Sequence, residues 1–371
     1  MEVEGLEVNM RVTFRGLIYG LAGLLLATTW VQAQKPGKPM LLVLAKKDET
    51  LAIIDPATLQ VVAKVPTGGN PHEVIASSDG RTAWVSNYGN GSLHTITVIN
   101  LTRQKVQKTI DLGPLWGPHG LVFAADYVWF TAEREKLIGR IDPRSESVDW
   151  LLGTGQTGTH MLWVSPDAAQ IVTVNVGSGT MDLFQRKPVG PKQAAGGPPS
   201  KAGGTTTHAP GTTPVPDWDQ AIVKVGGLPE AFDVIPDSHD HVRTIWVANA
   251  REGTISVIDF ASRKVIDTIA AGVSTANRLK FTPDHRLALV SRGNSGELTV
   301  LDVPSRRVIK RVKIGDGAAG ILMEPDGKQA YVSCSPNNRV IVFNLKSLTV
   351  TGSINPGREP DGLAWAVSTD R

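Results

Sequence analysis

Between Pro71 and Gly113 the chain alternates apolar and polar residues in four short runs, residues 71–76, 83–87, 95–100 and 106–112. Turn residues separate them, with Asp79-Gly80 at the first turn. Period-two alternation buries one face of each segment, so the unit predicts a four-stranded antiparallel meander. The pattern then recurs. With the first-turn aspartate as a ruler, copies fall at Asp79, Asp126, Asp167, Asp237, Asp284 and Asp326. Their second strands read Trp84-Val85-Ser86-Asn87, Trp129-Phe130-Thr131-Ala132, Val172-Thr173-Val174-Asn175, Trp246-Val247-Ala248-Asn249, Leu289-Val290-Ser291-Arg292 and Tyr331-Val332-Ser333-Cys334. The third strands are expected to end at Asn100, Asp142, Asp182, Asp259, Asp302 and Asn344. Repeats of about 40 to 47 residues built only of strands match propeller blades better than a helical solenoid.

The two ends of the repeat array supply its closure. Residues 41–45, 50–55 and 61–65 read as the second, third and fourth strands of a blade that lacks its first. Pro360-Asp361-Gly362-Leu363-Ala364-Trp365-Ala366-Val367 reads as a first strand that lacks the other three. Together they make a seventh blade, and the ring closes without exposed sheet edges. The fold expected is therefore all-β: a seven-bladed propeller of four-stranded antiparallel blades, closed by one C-terminal and three N-terminal strands. The repeat count makes residues 34–371 one domain, although length alone would favour two.

These residues also carry a family resemblance. The pattern of an Asp-Gly turn, then Tyr-Val-Thr-Asn, then Val-Ile-Asp resembles the YVTN-repeat family of secreted and periplasmic seven-bladed propellers. It is best kept at Pro325-Asp326-Gly327-Lys328-Gln329-Ala330-Tyr331-Val332-Ser333 and at Val257-Ile258-Asp259. The resemblance implies the fold and an exported setting, but assigns no chemistry, because a fold does not fix a reaction.

Residues 10–33 combine Arg11 and Arg15, an apolar run over 17–27, and Val31-Gln32-Ala33. A basic start, a short apolar stretch and a small-residue site predict a signal peptide over residues 1–33, with Met10 as the expected start and cleavage after Ala33. The expected location is periplasmic or secreted. The apolar run is too short and too Gly-rich for a good membrane anchor, so no span is expected after cleavage. The remaining chain has 36 basic and 32 acidic residues, a net charge of +4. That balance does not call for nucleic acid. Basic residues cluster at Arg306-Arg307 and Lys310-Arg311-Val312-Lys313, where a fourth strand is predicted, and protection of an outer sheet edge accounts for them. Aromatic residues for stacking bases are not interleaved there.

Cys334 is the sole cysteine, so ring closure has to hold the fold without an intrachain disulfide, and the thiol is expected to be partly buried and inert. Residues 187–217 are rich in Gly, Pro, Thr and Ala and interrupt the third copy between its third and fourth strands. Such a composition cannot bury enough apolar surface to fold, and a disordered spacer or contact loop is expected. Trp84, Trp129 and Trp246 recur at one repeat position and read as packing between blades.

Chemistry is expected where the chain enters each innermost strand, seven residues before the ruler aspartate. Those positions are His72, His119, His160, Glu230, Asn277 and Ala319, with Asp361 in the closing blade counted from Ser368, gathered on one circle at the channel mouth. Glu73 and Arg278 stand next to it. The loops after the second strands are expected to bring Asn87, Glu133, Asn175, Asn249 and Arg292 to the same face. His72, His119, His160 and Glu230 would suit a divalent Zn, Cu, Ni or Fe ion, or a general base with an orienting carboxylate. Polar filler of the channel mouth is the reading the residues favour, ahead of a rim for a small molecule and of a metal or catalytic site, and no His-x-x-x-His spacing supports a metal. The Asp237-Ser238-His239-Asp240-His241 run reads as a solvated turn on the opposite face.

A second resemblance lies in Gly117-Pro118-His119-Gly120-Leu121, Val128-Trp129-Phe130-Thr131-Ala132-Glu133 and Ile138-Gly139-Arg140-Ile141-Asp142. It is similar to a repeat of the streptogramin lyases, propellers that use a His base and a Mg ion. It covers one blade, and no catalytic role is carried over from it. The function expected is a monomeric, exported, non-catalytic binding or scaffold protein whose mouth meets a small molecule or protein partner and requires no cofactor. A metal-assisted lyase or lactonase-like hydrolase using the same ring is the competing class. Single-stranded nucleic-acid binding is third, and its steep salt dependence fits poorly with so small a net charge.

Overall fold

A computed structural model describes residues 37–187 and 217–369. The expected signal peptide, and all but the end residues of the expected insertion at 187–217, lie outside the described residues. Seven four-stranded antiparallel sheets form the described chain. Their innermost strands are Pro71–Ala76, Pro118–Ala124, Thr159–Val164, Pro229–Pro236, Ala276–Phe281, Ala318–Met323 and Pro360–Ser368; blades one to seven are numbered by them. Each innermost strand packs on the next, and Pro360–Ser368 packs on Pro71–Ala76, so the ring is shut. Blade seven closes as the sequence predicts: Pro360–Ser368 pairs with Lys38–Ala45, which is followed by Thr50–Asp55 and Gln60–Pro66. Among the described residues the only helical elements are three short 3₁₀ turns, Lys46–Asp48, Gly89–Gly91 and Ser335–Asn337.

Burial follows position within the blade. Second and third strands are covered on both faces by neighbouring blades and are buried almost continuously, as in Thr82–Asn87 and Thr95–Asn100. Outer strands alternate, and Arg307–Lys313 shows strict exposed-to-half-buried alternation, with Arg307, Arg311 and Lys313 on the exposed positions of the sheet edge. Trp84, Trp129 and Trp246 are buried between blades. Cys334 is fully buried, and burial pushes its thiol up to about 11, which keeps it protonated and unreactive near neutral pH.

Asp182 differs from its expected place. The third strand of blade three runs Thr180–Arg186, so Asp182 lies inside it and not at its end. It faces Thr173, a position that Thr97 and Ser256 fill in blades one and four. The carboxylate accepts hydrogen bonds from Asn175 Nδ2 at 2.9 Å and Gln220 Nε2 at 3.0 Å. Burial nevertheless pushes its pKa up to about 6, since desolvation outweighs the two donors. The unfolded chain titrates this group near 4. Protons are therefore held more tightly by the folded state: the contribution is full below about pH 4, is lost as pH rises to about 6, and is flat beyond, on the order of 3 kcal/mol in all. Urea unfolding of the parent and of Asp182→Asn at several pH values in that window should show the decline in the parent alone. Equal slopes in the two proteins would contradict it.

Candidate functional site at the channel mouth

The first residues of the innermost strands are shaped by one recurring irregularity. Pairing with the second strand is regular until the mouth, where register shifts appear between Pro71 and Val74, Pro118 and Leu121, Thr159 and Leu162, and at the matching place in the other blades. A bulge bends the strand and re-aims its side chains, which turns the ring residues toward the channel. Hydroxyls plug the gaps. Ser86 Oγ accepts from Glu73 N at 3.0 Å and donates to the His119 carbonyl in the next blade at 3.0 Å. Thr131 Oγ1 does the same between Gly120 N and the His160 carbonyl, and Ser291 links Arg278 N to the Ala319 carbonyl. The Ser/Thr of the repeat motif is thus a fastener between blades at the level of the ring. Thr131→Val keeps the shape but leaves a buried N–H and a buried C=O without partners. A loss of about 2–4 kcal/mol in urea unfolding is expected, and a change under about 0.5 kcal/mol would refute the role.

The ring side chains form one connected network over blades seven, one, two, three, four and five. Lys46 Nζ lies 3.0 Å from Asp361 Oδ2, which is 3.7 Å from His72 Nδ1. His72 Nε2 bonds Asn70 Oδ1 at 2.9 Å, and His72 Nδ1 meets His119 Nε2 at 3.0 Å. The His119 ring lies against that of His160, centroids 3.8 Å apart. His160 Nδ1 bonds Glu133 Oε1, whose other oxygen accepts from Tyr88 OH at 2.7 Å. His160 Nε2 is 3.8 Å from Glu230 Oε1, which also accepts from Asn277 Nδ2 at 3.2 Å. Ala319 contributes no polar group.

Protons can be assigned along this chain from the partners. Burial lowers His72 to about 4 and holds His119 well below the usual range, so both are neutral at pH 7. The Asn70 oxygen takes the Nε2 proton of His72, so its Nδ1 accepts from His119 Nε2–H. His119 Nδ1 is then a bare lone pair, buried and without a partner. Burial alone would also lower His160, but the hydrogen bond it donates to Glu133 and the nearby Glu230 carboxylate outweigh it and raise it to about 9, making it a cation. Burial works against the Glu133 carboxylate, yet His160 and Tyr88 hold it below its usual range, while burial and Glu133 together push the Tyr88 phenol up.

Several expected rim residues lie elsewhere. The residues level with the mouth are those immediately after each second strand: Lys46, Tyr88 and Glu133. Asn87, Asn249 and Arg292 are one position earlier, opposite Pro71, Pro229 and Ala276. Asn87 is fully buried: Oδ1 accepts from Gly68 N at 2.9 Å, and Nδ2 donates to Thr95 and Thr97. Asn249 repeats this with Gly226, Thr254 and Ser256, and Asn175 turns to Thr159, Thr180 and Asp182. Arg292 is engaged by Ser274 and Glu297. These side chains are spent on their own blades, so they are not free to bind a ligand. Of the expected metal set, His119 and His160 stand together with Glu133, one ligand atom from each lying within 4.8 Å of the others. Glu230 is at the edge, and His72 is committed to Asn70 and His119. Glu133 stands one residue past the Asn register, which a single shared alignment of loop residues blurred. Tyr88 and Lys46 were missed because their loops carry no motif.

Below the ring the channel is crossed by an ion pair. Arg278 Nη2 in blade five bonds Glu73 Oε1 in blade one, both buried. Gly120, Gly320 and Gly362 hold the equivalent position in three other blades, where a Cβ would lie 2.2 to 2.6 Å from the next blade's ring carbonyl. The pair separates the mouth from a lower cavity of about 330 Å³ walled by Ile75, Phe123, Leu322 and Trp365. The ring residues thus stand over this pair, and the space they surround is called the cup. The Asp237–His241 turn lies away from the cup, and His241 Nε2 contacts Asp167 at 3.1 Å at the surface.

The profile of YNCE-like beta-propellers matches residues 9–187, and repeats of the YVTN type are consistent with that match. No curated protein matches the chain. Among solved structures, a putative 6-phosphogluconolactonase from Bacteroides uniformis is 14% identical with a TM-score of 0.68, over 89% of this chain and 100% of that one. Kuenenia stuttgartiensis hydrazine synthase is 14% identical with a TM-score of 0.61, over 79% and 89%. A dihydro-heme d1 dehydrogenase in complex with DHE is 15% identical with a TM-score of 0.59, over 89% and 75%. At these identities the likeness shows the fold alone.

Proposed function

We propose that this chain is an exported, monomeric, non-catalytic binding protein whose ligand is a small cation or cationic molecule seated in the cup. The observation that carries the reading is the cup's balance of charge and unsatisfied atoms. Three carboxylates, Glu133, Glu230 and Asp361, face two cations, Lys46 and protonated His160, leaving one surplus negative charge. Buried His119 Nδ1 and Asn277 Oδ1 both lack partners, and each is an acceptor. Acceptors plus negative charge in a partly desolvated recess suit a donor-rich cation, and the Glu73–Arg278 floor stops it from passing through. Calorimetry with putrescine, arginine, Zn²⁺, phosphate and gluconate tests this. Binding by a cation, weakened about tenfold in Glu230→Gln, supports it, because one rim charge is worth on the order of 1.4 kcal/mol there. Preference for the anions, or no uptake of any cation, overturns it.

One observation favours a second reading, a metal-assisted hydrolase or lyase. Two imidazoles and a carboxylate would leave a fourth coordination position open toward the mouth, the arrangement of catalytic zinc sites. Zn²⁺-loaded protein should then open lactones faster than buffer does and lose that rate in Glu133→Gln; absence of turnover across a lactone series dismisses it.

A further inference from the structure

We infer that the inner end of the cup is a binding site for one first-row divalent transition ion, held by His119, Glu133 and His160. The inference deepens, and rests on, the reading of the mouth as a cation site. These three residues come from two adjacent blades, positioned by separate devices. His119 and His160 occupy bulged starts of innermost strands, whose carbonyls are fixed by Ser86 and Thr131. Glu133 follows the second strand of blade two, with its backbone N–H bonded to the Gly117 carbonyl at 3.2 Å and its side chain held by Tyr88.

Geometry and chemistry agree on the class of ion. One donor atom from each residue lies within 4.8 Å of the other two, close enough for one ion to reach all three after small rotations. His119 is 3% exposed and its Nδ1 has no partner, while His160, 9% exposed, turns its Nδ1 to Glu133. A buried nitrogen without a partner is costly, and beside a carboxylate and a second imidazole it calls for a missing group. Two imidazoles out of three donors disfavour Mg²⁺ and Ca²⁺, which take oxygen ligands, and favour Zn²⁺, Co²⁺, Ni²⁺ or Cu²⁺. The ion replaces the proton shared by His160 and Glu133, and that proton leaves to solvent. Tyr88 OH, bonded to the second oxygen of Glu133, supplies the outer hydrogen bond that orients a metal-binding carboxylate. His72 does the same for His119 through Nε2.

Co²⁺ is the probe, because its visible absorption reports the ligands that hold it. The whole chain is titrated with Co²⁺ and then Zn²⁺, in the parent, His119→Ala, Glu133→Gln and a His239→Ala/His241→Ala control. Near-ultraviolet circular dichroism without metal confirms that each variant is folded. The expected result is about one Co²⁺ per chain with an intensified visible spectrum, displaced by Zn²⁺. Affinity should fall at least tenfold in His119→Ala and in the isosteric Glu133→Gln, and stay unchanged in the control. No near-stoichiometric uptake, or uptake that survives Glu133→Gln and vanishes in the control, overturns the site. Putrescine or arginine binding in a protein that ignores Co²⁺ would refute the metal while leaving the cationic cup standing. Loss of both would refute the cup as well.

Discussion

Arg278→Met should lower stability by about 3–5 kcal/mol, although the replacement is apolar and of similar length. The reason is Glu73. The two side chains meet across the channel from blades five and one, both almost fully buried. Removing the guanidinium leaves a carboxylate in a recess with no other cation bonded to it, and a stranded buried charge costs far more than the pair contributes. Burial itself already pulls Arg278 below its usual range, while the Asp361 charge works the other way. Adding Glu73→Leu to Arg278→Met should therefore restore most of the loss, because the charge and its desolvation disappear together. Guanidinium unfolding of the four proteins of the cycle measures this. If the double variant is as unstable as the single, the side chains matter by packing and not by charge, and the account of the channel floor is wrong.

Gly362→Ala should cost about 3 kcal/mol or more, from the addition of a single methyl group. A Cβ there would lie 2.2 Å from the His72 carbonyl oxygen and 3.1 Å from Glu73 Cα. Both atoms belong to the backbone of blade one, so no side chain can rotate out of the way, and overpacking of this kind is relieved only by moving the strands apart. The strands in question are the last and the first of the ring, whose contact closes it. Loss of thermal stability should be accompanied by faster proteolysis at the seam. At Ala231, the same position in blade four, a Cβ is already accommodated. A shift in Gly362→Ala no larger than that of a surface substitution would mean that closure tolerates separation at the mouth.

The ring was legible because the repeat sets a register, and register places residues without any knowledge of contacts. His72, His119, His160, Glu230 and Asn277 could be put on one circle from the spacing to the turn aspartate alone, and Asp361 from the same spacing to Ser368. What register cannot supply is the direction of a side chain at an irregularity. Asn87 and Asn249 stand one residue short of the mouth, and their amides are consumed by the loops that enter their own blades. Glu133, one residue further on, reaches His160. Asp182 was matched to turn aspartates by its residue type, whereas its strand continues four residues past it, to Arg186, and the carboxylate stands in for a hydroxyl against Asn175. The Glu73–Arg278 pair is separated by four blades in sequence order, and nothing local in the chain announces that the two meet. The glycine of Pro-His-Gly, by contrast, has a reason that the sequence hints at: the next blade's carbonyl fills the space of its side chain.

The most direct test of the metal site in the cup is anomalous diffraction from crystals of the protein grown with zinc, collected on both sides of the zinc absorption edge. The account predicts one strong peak at the channel mouth, within bonding distance of nitrogens of His119 and His160 and an oxygen of Glu133, with Glu230 at its rim. Peaks confined to the surface turn around His239 and His241, or no peak at the mouth at full zinc loading, would contradict it.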